Sequence, residues 1–166
     1  MWASPACSMN PPVVTMPASE AETGTASPAA YEAPVVDKEA AEKCLALAGA
    51  KRAKASGEPA KVTVKHVLVK WSGAKNAGDK IQRPREAACL RAIEARDKIR
   101  EGTDFAEVVK QYSDEPGAAT RAGAVGSVSR SDVAKPFADA AFELGINQLS
   151  DVVETEFGFH VIFRTE

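Results

Sequence analysis

The sequence has few of the residues from which metal centres and disulfide frameworks are built. It contains two histidines, His66 and His160, and three cysteines, Cys7, Cys44 and Cys89. The cysteines are odd in number and widely separated, and no two of them form a CxxC pair. Their spacing therefore predicts neither a disulfide framework nor a zinc site, and each thiol is expected to act as a small apolar side chain.

Long apolar runs and an excess of one charge are also absent. No run of about twenty apolar residues occurs, so no membrane span is predicted. The net charge of −2 and the pI near 5.8 give no case for binding nucleic acid through its phosphates. The chain starts without a complete signal peptide, but Ser-Pro-Ala before Cys7 resembles the remnant of a bacterial lipoprotein. Localisation is thus open between a soluble cytoplasmic protein and a cell-envelope lipoprotein whose start is truncated.

The composition changes sharply near residue 60. Seven of the ten prolines precede it, in a stretch rich in Ala, Ser and Thr through residue 36. Such a stretch buries too little apolar area to offset its ordering entropy, so residues 1–36 are predicted to be a disordered tail. Helix formers between residues 36 and 56 predict a short helix, which is marginal unless it docks on the rest of the protein. Residues 37–60 are therefore assigned to a short helix and linker, and residues 61–166 to one folded domain.

Residues 61–166 contain alternating strand and helix patterns. "KVTVKHVLVKW" at 61–71 alternates as a strand, and helices are predicted over 85–100 and from Asp104 to Tyr112. A loop with a short helical turn, a strand near Val125 to Val128, and a helix in "KPFADAAFELG" follow. Two strands around a tight turn at 156–158 complete the chain. This order, β-α-α-α-β-α-β-β, predicts an α+β fold with a four-stranded, mostly antiparallel sheet covered by about four helices.

Each histidine interrupts the apolar face of one of these strands. His66 shares a face with Val64 and Leu68, and His160 shares a face with Ile162. A polar ring on a face that should be buried needs a partner. If the two strands pair, the two rings can meet.

Five segments in the same order carry a resemblance to a known family. "HVLVK", "YSDEPGAA", "GAVG", "KPFADAAFELG" and "FGFHVIFRTE" together resemble the parvulin family (rotamase, PpiC-like) of peptidyl-prolyl cis/trans isomerases. The resemblance covers residues 61–166. It implies a parvulin-like sheet and an enzyme of protein folding that isomerises X-Pro bonds in unfolded or extended polypeptides. It also implies a monomer that needs neither a cofactor nor a metal.

The reaction needs no nucleophile, because no bond is broken. The conjugated X-Pro amide has a rotational barrier near 20 kcal/mol, and isomerisation without a catalyst takes tens of seconds or longer. Reaching about a millisecond requires roughly 6 kcal/mol of preferential binding of the twisted amide. A dry apolar cup for the proline ring, with polar groups beside the amide, is sufficient in principle.

The resemblance assigns polar residues to this site. His66 and His160 fall on the two histidines that lie side by side under the family's active site. A direct chemical role, a tuning role and a role as hydrogen-bonded core residues are all open. Glu115 falls on the family's aspartate or cysteine position. Asp114 is the alternative one residue earlier, and a carboxylate at either position can also just cap a turn. Thr155 lies in the turn at the far wall.

The resemblance also places the proline cup. Val125, Val133 and Phe137 fall on its aliphatic and aromatic positions, and Phe157 lies in the far turn. Residues of these types are equally typical of a core. The glycine loop at 123–126 departs from the family pattern, because it lacks the usual aspartate and has valine for leucine.

A basic loop follows the first strand. Phosphorylation-directed parvulins use a basic triad there, and this chain has Lys70, Lys75 and Lys80 but no adjacent arginine pair. Lysines hold a phosphate as point charges, without the bidentate geometry of arginine. Lys70 and Lys75 are therefore candidates for binding an acidic or phosphorylated residue before the proline, and a solvated surface is the alternative.

Two other functions compete with isomerisation. The altered glycine loop favours a non-catalytic module or chaperone that holds proline-containing segments in the same groove. Alternatively, Ser4-Pro5 or Ser27-Pro28 of the tail occupies the groove as a regulatory device. The retained histidines and Phe137 favour the enzyme.

Overall fold

A computed structural model describes residues 36–54 and 56–166 of the chain. The predicted disordered tail, apart from residue 36, and Cys7 lie outside the described residues. The elements are α1 Lys38–Ala48, β1 Val62–Val69, α2 Arg85–Arg100, α3 Phe105–Tyr112, a 3₁₀ turn Ala119–Arg121, β2 Ala124–Val128, a 3₁₀ turn Arg130–Asp132, α4 Lys135–Glu143, β3 Val153–Thr155 and β4 Gly158–Arg164. The strands form one antiparallel sheet in the order β2-β1-β4-β3. The predicted α+β fold is confirmed.

The first helix is shorter than the sequence pattern indicated. The Asp37 side chain accepts hydrogen bonds from the first-turn N–H groups of Glu39 and Ala40, which fixes the start of α1. Gly49 caps the other end by donating its N–H to the Leu45 carbonyl at 3.0 Å. Helix-forming residues continue to residue 56, but α1 ends at Ala48, so the helix occupies only the first part of that segment.

A disulfide between Cys44 and Cys89 joins α1 to α2, and the expectation of isolated thiols was wrong for this pair. Both residues are fully buried, and their Cα atoms lie 6.0 Å apart. Cys44 lies on the buried stripe of α1 between Ala41 and Ala48, which packs on α2. A separation of 45 residues in sequence carries no pairing signal, because only the packing of the two helices brings the sulfurs together.

One face of the sheet is covered by α1, α2 and α3. Asp104 caps α3 as its sequence indicated, with its carboxylate accepting the N–H groups of Ala106 and Glu107. The buried side chains on the sheet side of this layer are Val67, Val69, Phe159 and Val161. None of the helices in the described part of the chain combines the length and apolar character that crossing a bilayer requires.

The opposite face of the sheet packs on α4 and carries both histidines. Phe137, Ala140 and Ala141 of α4 contact the apolar core of this face. In the β1–β4 pair, Leu68 is opposite His160 and His66 is opposite Ile162. His66 and His160 are therefore diagonal neighbours on one face, close enough for their rings to meet.

Gly123 allows β2 to approach β1 beside His66. Its N–H donates to the Ala118 carbonyl at 2.9 Å, and its carbonyl accepts the backbone N–H of His66 at 2.9 Å. A Cβ at this position would lie 2.5 Å from the His66 carbonyl oxygen, and its φ is +73°. Only glycine fits this position without displacing β1.

Candidate active site

A cavity of about 730 Å³ lies between the α4 face of the sheet, the segment after α3 and the β3–β4 turn. This volume is in the usual range of ligand sites. Most residues assigned to the site from sequence line it: His66, Lys70, Glu115, Val125, Val133, Phe137, Thr155, Phe157 and His160. Another cavity of about 660 Å³, between the end of α1 and β3, also touches Thr155 but is lined by neither histidine.

The two histidine rings lie in contact beneath the cavity. Their Nδ1 atoms are 3.1 Å apart, the ring centroids are 5.3 Å apart, and the ring planes are 18° from parallel. Both residues are buried, with 6% of His66 and 5% of His160 exposed. Each ring therefore depends on the other to satisfy one nitrogen.

Two further side chains extend the histidine pair in both directions. The His66 Nε2 lies 2.8 Å from Glu115 Oε2, and the His160 Nε2 lies 2.8 Å from Thr155 Oγ1. The Phe157 N–H donates to the same Thr155 oxygen at 3.1 Å. Glu115, His66, His160 and Thr155 thus form one continuous set of hydrogen bonds, called here the histidine network.

The surroundings favour an ionised Glu115 and a neutral His160. The hydrogen bond from His66 lowers the pKa of Glu115, and the charges of His66 and Arg121 lower it further against the opposing effect of burial. Burial lowers the pKa of His160 well below its usual 6.5, and the charges of His66 and Lys70 act in the same direction. The network therefore has a fixed negative charge at one end and an uncharged ring inside.

These charges determine the direction of every hydrogen bond when both rings are neutral. An ionised carboxylate only accepts, so His66 donates through Nε2–H and must accept at Nδ1. His160 then donates through Nδ1–H and accepts at Nε2 from the Thr155 hydroxyl. Each group is satisfied in this single arrangement, with Thr155 donating at one end and Glu115 accepting at the other.

Asp114 is held away from the histidine network. Its carboxylate accepts the backbone N–H of Lys70 at 2.9 Å and pairs with the Arg83 guanidinium. Its own backbone N–H donates to the Leu68 carbonyl at 2.7 Å. These contacts fix the end of β1 and the following loop. Of the two adjacent carboxylates, Glu115 is the one that contacts His66.

Apolar side chains form the wall beside the network. The Phe137 ring lies edge-on to both histidine rings, with centroid distances of 5.6 Å to His66 and 5.2 Å to His160. Val133 and Phe157 are partly buried, and Val125 is exposed at the cavity mouth. An apolar wall thus meets a hydrogen-bonded polar surface within one cavity.

The first two lysines of the basic loop have partners within the protein. Lys70 is buried and its Nζ donates to the Asn76 carbonyl at 2.8 Å. Lys75 donates its N–H to the Glu156 carbonyl at 2.8 Å, and its Nζ lies 3.1 Å from the Glu156 carboxylate and 5.0 Å from the centre of the Phe157 ring. These contacts hold the β1–α2 loop against the β3–β4 turn.

Arg121 belongs to the site although the sequence did not single it out. Its guanidinium Nη2 lies 2.6 Å from Glu115 Oε2, while Nε donates to the Ala124 carbonyl at 3.0 Å and Nη1 to the Pro116 carbonyl at 3.3 Å. An arginine in an irregular loop has no periodicity to reveal it. The only signal in the sequence is a basic residue shortly before the glycine loop.

Comparison with known proteins places this geometry among prolyl isomerases. A family model described as "PPIC-type PPIASE domain" matches residues 48–166. The foldase protein PrsA of Geobacillus sp. (strain WCH70) is 41% identical over 75 residues, which are 45% of this chain and 27% of PrsA. The putative peptidyl-prolyl cis-trans isomerase dodo of Drosophila melanogaster is 35% identical over 122 residues, 70% of this chain and 73% of dodo.

A solved structure supports the same comparison. The peptidyl-prolyl isomerase ESS1 from Candida albicans matches with a TM-score of 0.61 and 27% identity, over 64% of this chain and 63% of that protein. In length, the matched part of this chain spans about a quarter of PrsA.

Proposed function

The chain belongs to the family of PPIC-type peptidyl-prolyl cis/trans isomerases, the parvulins, and we propose that it accelerates the isomerisation of X-Pro bonds in unfolded or extended polypeptides. The observation that carries this proposal is the edge-on packing of Phe137 against both histidine rings. It places an apolar surface for a proline ring directly beside a polar surface for the amide.

In this proposal the apolar wall binds the proline ring and leaves the amide free to twist. Phe137, Val133, Val125 and Phe157 contact the ring, and the cavity excludes water from the amide. A twisted amide loses its conjugation, so its nitrogen gains basicity and its carbonyl loses part of its negative charge. Groups whose dipoles are fixed before the substrate binds stabilise that state without reorganising.

The histidines act in this mechanism as positioning residues, since all four of their ring nitrogens already have partners in the histidine network. Glu115 is the member of the network that a substrate reaches, with 27% of its side chain exposed. His66, His160 and Thr155 hold the Glu115 carboxylate and its dipoles in one arrangement. No covalent intermediate, metal or cofactor enters the reaction.

The preference for the residue before proline depends on the basic loop. Lys70 and Lys75 already bind Asn76 and Glu156, so a phosphate would have to displace those contacts. Lys80 is exposed, but a single lysine is a weak phosphate site. We therefore infer that acidic and phosphorylated residues before proline give no advantage over alanine.

The folded unit in this proposal includes α1 as well as residues 61–166. The Cys44–Cys89 disulfide supports this, as does the ion pair of Arg52 with Glu143 of α4 at 2.9 Å. The experiment below accordingly uses the full chain.

Exchange NMR on Ala-Pro, Glu-Pro and phosphoserine-Pro peptides with the full chain tests the proposal. We expect all three peptides to exchange faster in the presence of the protein, with similar acceleration. A large preference for phosphoserine-Pro would contradict the inference about the lysines. Binding without acceleration would identify a non-catalytic module or chaperone, the function that the missing loop aspartate before Val125 favours.

A further inference from the structure

We propose that Arg121 is a positioning residue of this isomerase: its guanidinium lies against the Glu115 oxygen that contacts His66, and by opposing the uptake of a proton by the Glu115–His66 pair it sets the pH at which the histidine network reverses its hydrogen bonds. The functional consequence rests on the proposed function, whereas the hydrogen-bond direction can be measured without any activity.

Arg121 is fixed to the loop that it belongs to. Two of its guanidinium nitrogens donate to backbone carbonyls, of Ala124 and Pro116, and the third contacts Glu115. The guanidinium and His66 Nε2 both lie next to the same carboxylate oxygen, Oε2, at 2.6 Å and 2.8 Å. The positive charge thus lies directly against the oxygen that accepts from His66.

The charge of Glu115 decides the direction of the network. An ionised Glu115 accepts from His66 Nε2–H, which makes His160 donate through Nδ1. One proton added to the Glu115–His66 pair reverses this direction, because His66 carries Nδ1–H whether the proton is on the imidazole or on a Glu115 carboxyl that donates to His66 Nε2. His160 would then accept at Nδ1 and donate from Nε2 to Thr155.

Thr155 has the contacts that the reversed direction requires. Its Oγ1 can accept from His160 Nε2–H, and its hydroxyl proton can turn to the Gly158 carbonyl, 3.4 Å away. Both directions therefore satisfy the buried rings. The two directions differ by one proton on the Glu115–His66 pair, so the balance between them depends on pH and on the charges next to that pair.

Arg121 is the cation in direct contact with Glu115. The charged and titratable groups facing Glu115 are His66 from β1 and Arg121 from the 3₁₀ turn, and Lys70, Asp132 and His160 line the same cavity. The nearby Asp114 and Arg83 pair with each other. Removing the Arg121 charge should therefore make the Glu115–His66 pair easier to protonate, and the network should reverse at a higher pH.

The test is ¹⁵N NMR of the histidine ring nitrogens over a pH series, on the tag-free full chain and Arg121→Met. The chain has only two histidines, so the signals are readily assigned. We expect the Nδ1–H tautomer of His160 at neutral pH in the unmodified protein. In Arg121→Met the change to Nε2–H should occur about one pH unit higher than in the unmodified protein. Arg121→Lys keeps a positive charge, so its transition should lie between the two.

Arg85→Met is the matched control. Arg85 is as exposed as Arg121, at 44% against 40%, and it pairs with Glu154 on β3. Its loss removes a surface ion pair without touching the histidine network. The tautomers and their pH dependence should stay unchanged in this variant.

Activity measurements distinguish positioning from direct substrate binding. Arg121→Met should move the acid limb of the kcat/KM profile to higher pH, together with the tautomer change. In a Glu115→Gln background the same substitution should not change kcat/KM. If Arg121→Met leaves the ring-nitrogen signals unmoved, the proposal is wrong. An equal loss of kcat/KM with and without Glu115 would also overturn it, because Arg121 would then act on the substrate.

Discussion

His66 and His160 are diagonal neighbours across the β1–β4 pair, and their Nδ1 atoms lie 3.1 Å apart. One of these nitrogens must donate and the other must accept, so the protonation of each ring constrains the other. The pair is buried under Phe137 and connects Glu115 to Thr155. Stability, tautomer and activity are therefore coupled at this contact.

Removing either ring should cost both stability and rate. His160→Ala leaves the His66 Nδ1 without a buried partner and removes one of the hydrogen bonds of the Thr155 hydroxyl, and we expect the free energy of unfolding to fall by about 2–4 kcal/mol. The rate per folded molecule should fall at least about tenfold, as for other positioned polar groups. Urea unfolding and exchange NMR measure the two effects.

Two further variants sharpen this prediction. Val161→Ala, on the other face of β4, should reduce stability but leave the rate per folded molecule unchanged. The double variant of His66 and His160 should cost less than the sum of the single variants. Full stability and full activity in both single alanine variants would show that the network is not required.

Acidification should destabilise the protein before ordinary carboxylates are protonated. Because the folded-state pKa of His160 is depressed, the unfolded chain binds a proton at about pH 6.5 while the folded chain does not. Stability is full above that pH and falls as pH drops, by up to about 1.4 kcal/mol per pH unit. The depressed pKa of Glu115 adds a separate loss only below about 4.5.

Urea midpoints at pH 7.5, 6.5 and 5.5 measure this slope. His160→Gln has no imidazole to protonate at this position and should flatten the decrease between pH 6.5 and 5.5. An equal slope in the variant would assign the decrease to other groups.

Reducing the Cys44–Cys89 disulfide should destabilise the fold while leaving the site intact. Closing a loop of this length contributes about 4 kcal/mol in the chain-entropy model. The cysteines lie on the helix layer opposite the histidine face, so activity per folded molecule should persist. Urea unfolding with and without a dithiol, with the Cys44→Ala/Cys89→Ala double variant, measures the difference, and an unchanged midpoint would contradict the prediction.

Phe137 and Phe142 offer a matched pair of substitutions on α4. Both are 4% exposed, but only Phe137 contacts the histidine rings. Replacement of either by leucine should cost about 1 kcal/mol of stability. Phe137→Leu should also raise KM or lower kcat several-fold for Ala-Pro peptides, whereas Phe142→Leu should not. Equal kinetics in the two variants would remove Phe137 from the proline site.

Alanine substitutions at Gly123 and Gly126 distinguish the stability cost of a steric clash from the cost of backbone strain. Both have positive φ, +73° and +91°, but an added Cβ meets the His66 carbonyl at 2.5 Å only at Gly123, and nothing within 4 Å at Gly126. Gly126→Ala should cost about 1–2 kcal/mol from the left-handed conformation alone. Because its Cβ would also overlap the His66 carbonyl, Gly123→Ala should cost at least about 2 kcal/mol more. Urea unfolding measures the difference, and equal costs would show that β2 shifts to make room.

Much of the fold could be predicted from local patterns. The alternation around His66 and His160, the cap at Asp104 and the turn at 156–158 are all encoded within a few residues, because strand periodicity and capping are short-range effects. The family, first identified from five segments in order, is confirmed by the match over residues 48–166. The end of α1 at Gly49 was missed because helix formers continue beyond it.

By itself, then, the sequence determined the order of strands and helices, the family, and the faces on which His66 and His160 lie. Only the tertiary structure decided which groups meet. The Cys44–Cys89 bond joins residues 45 apart in sequence, and the two histidines are 94 apart. Such contacts depend on how α1 packs on α2 and on the register that puts Leu68 opposite His160. No local pattern encodes them, because packing and strand register are fixed by the whole core at once.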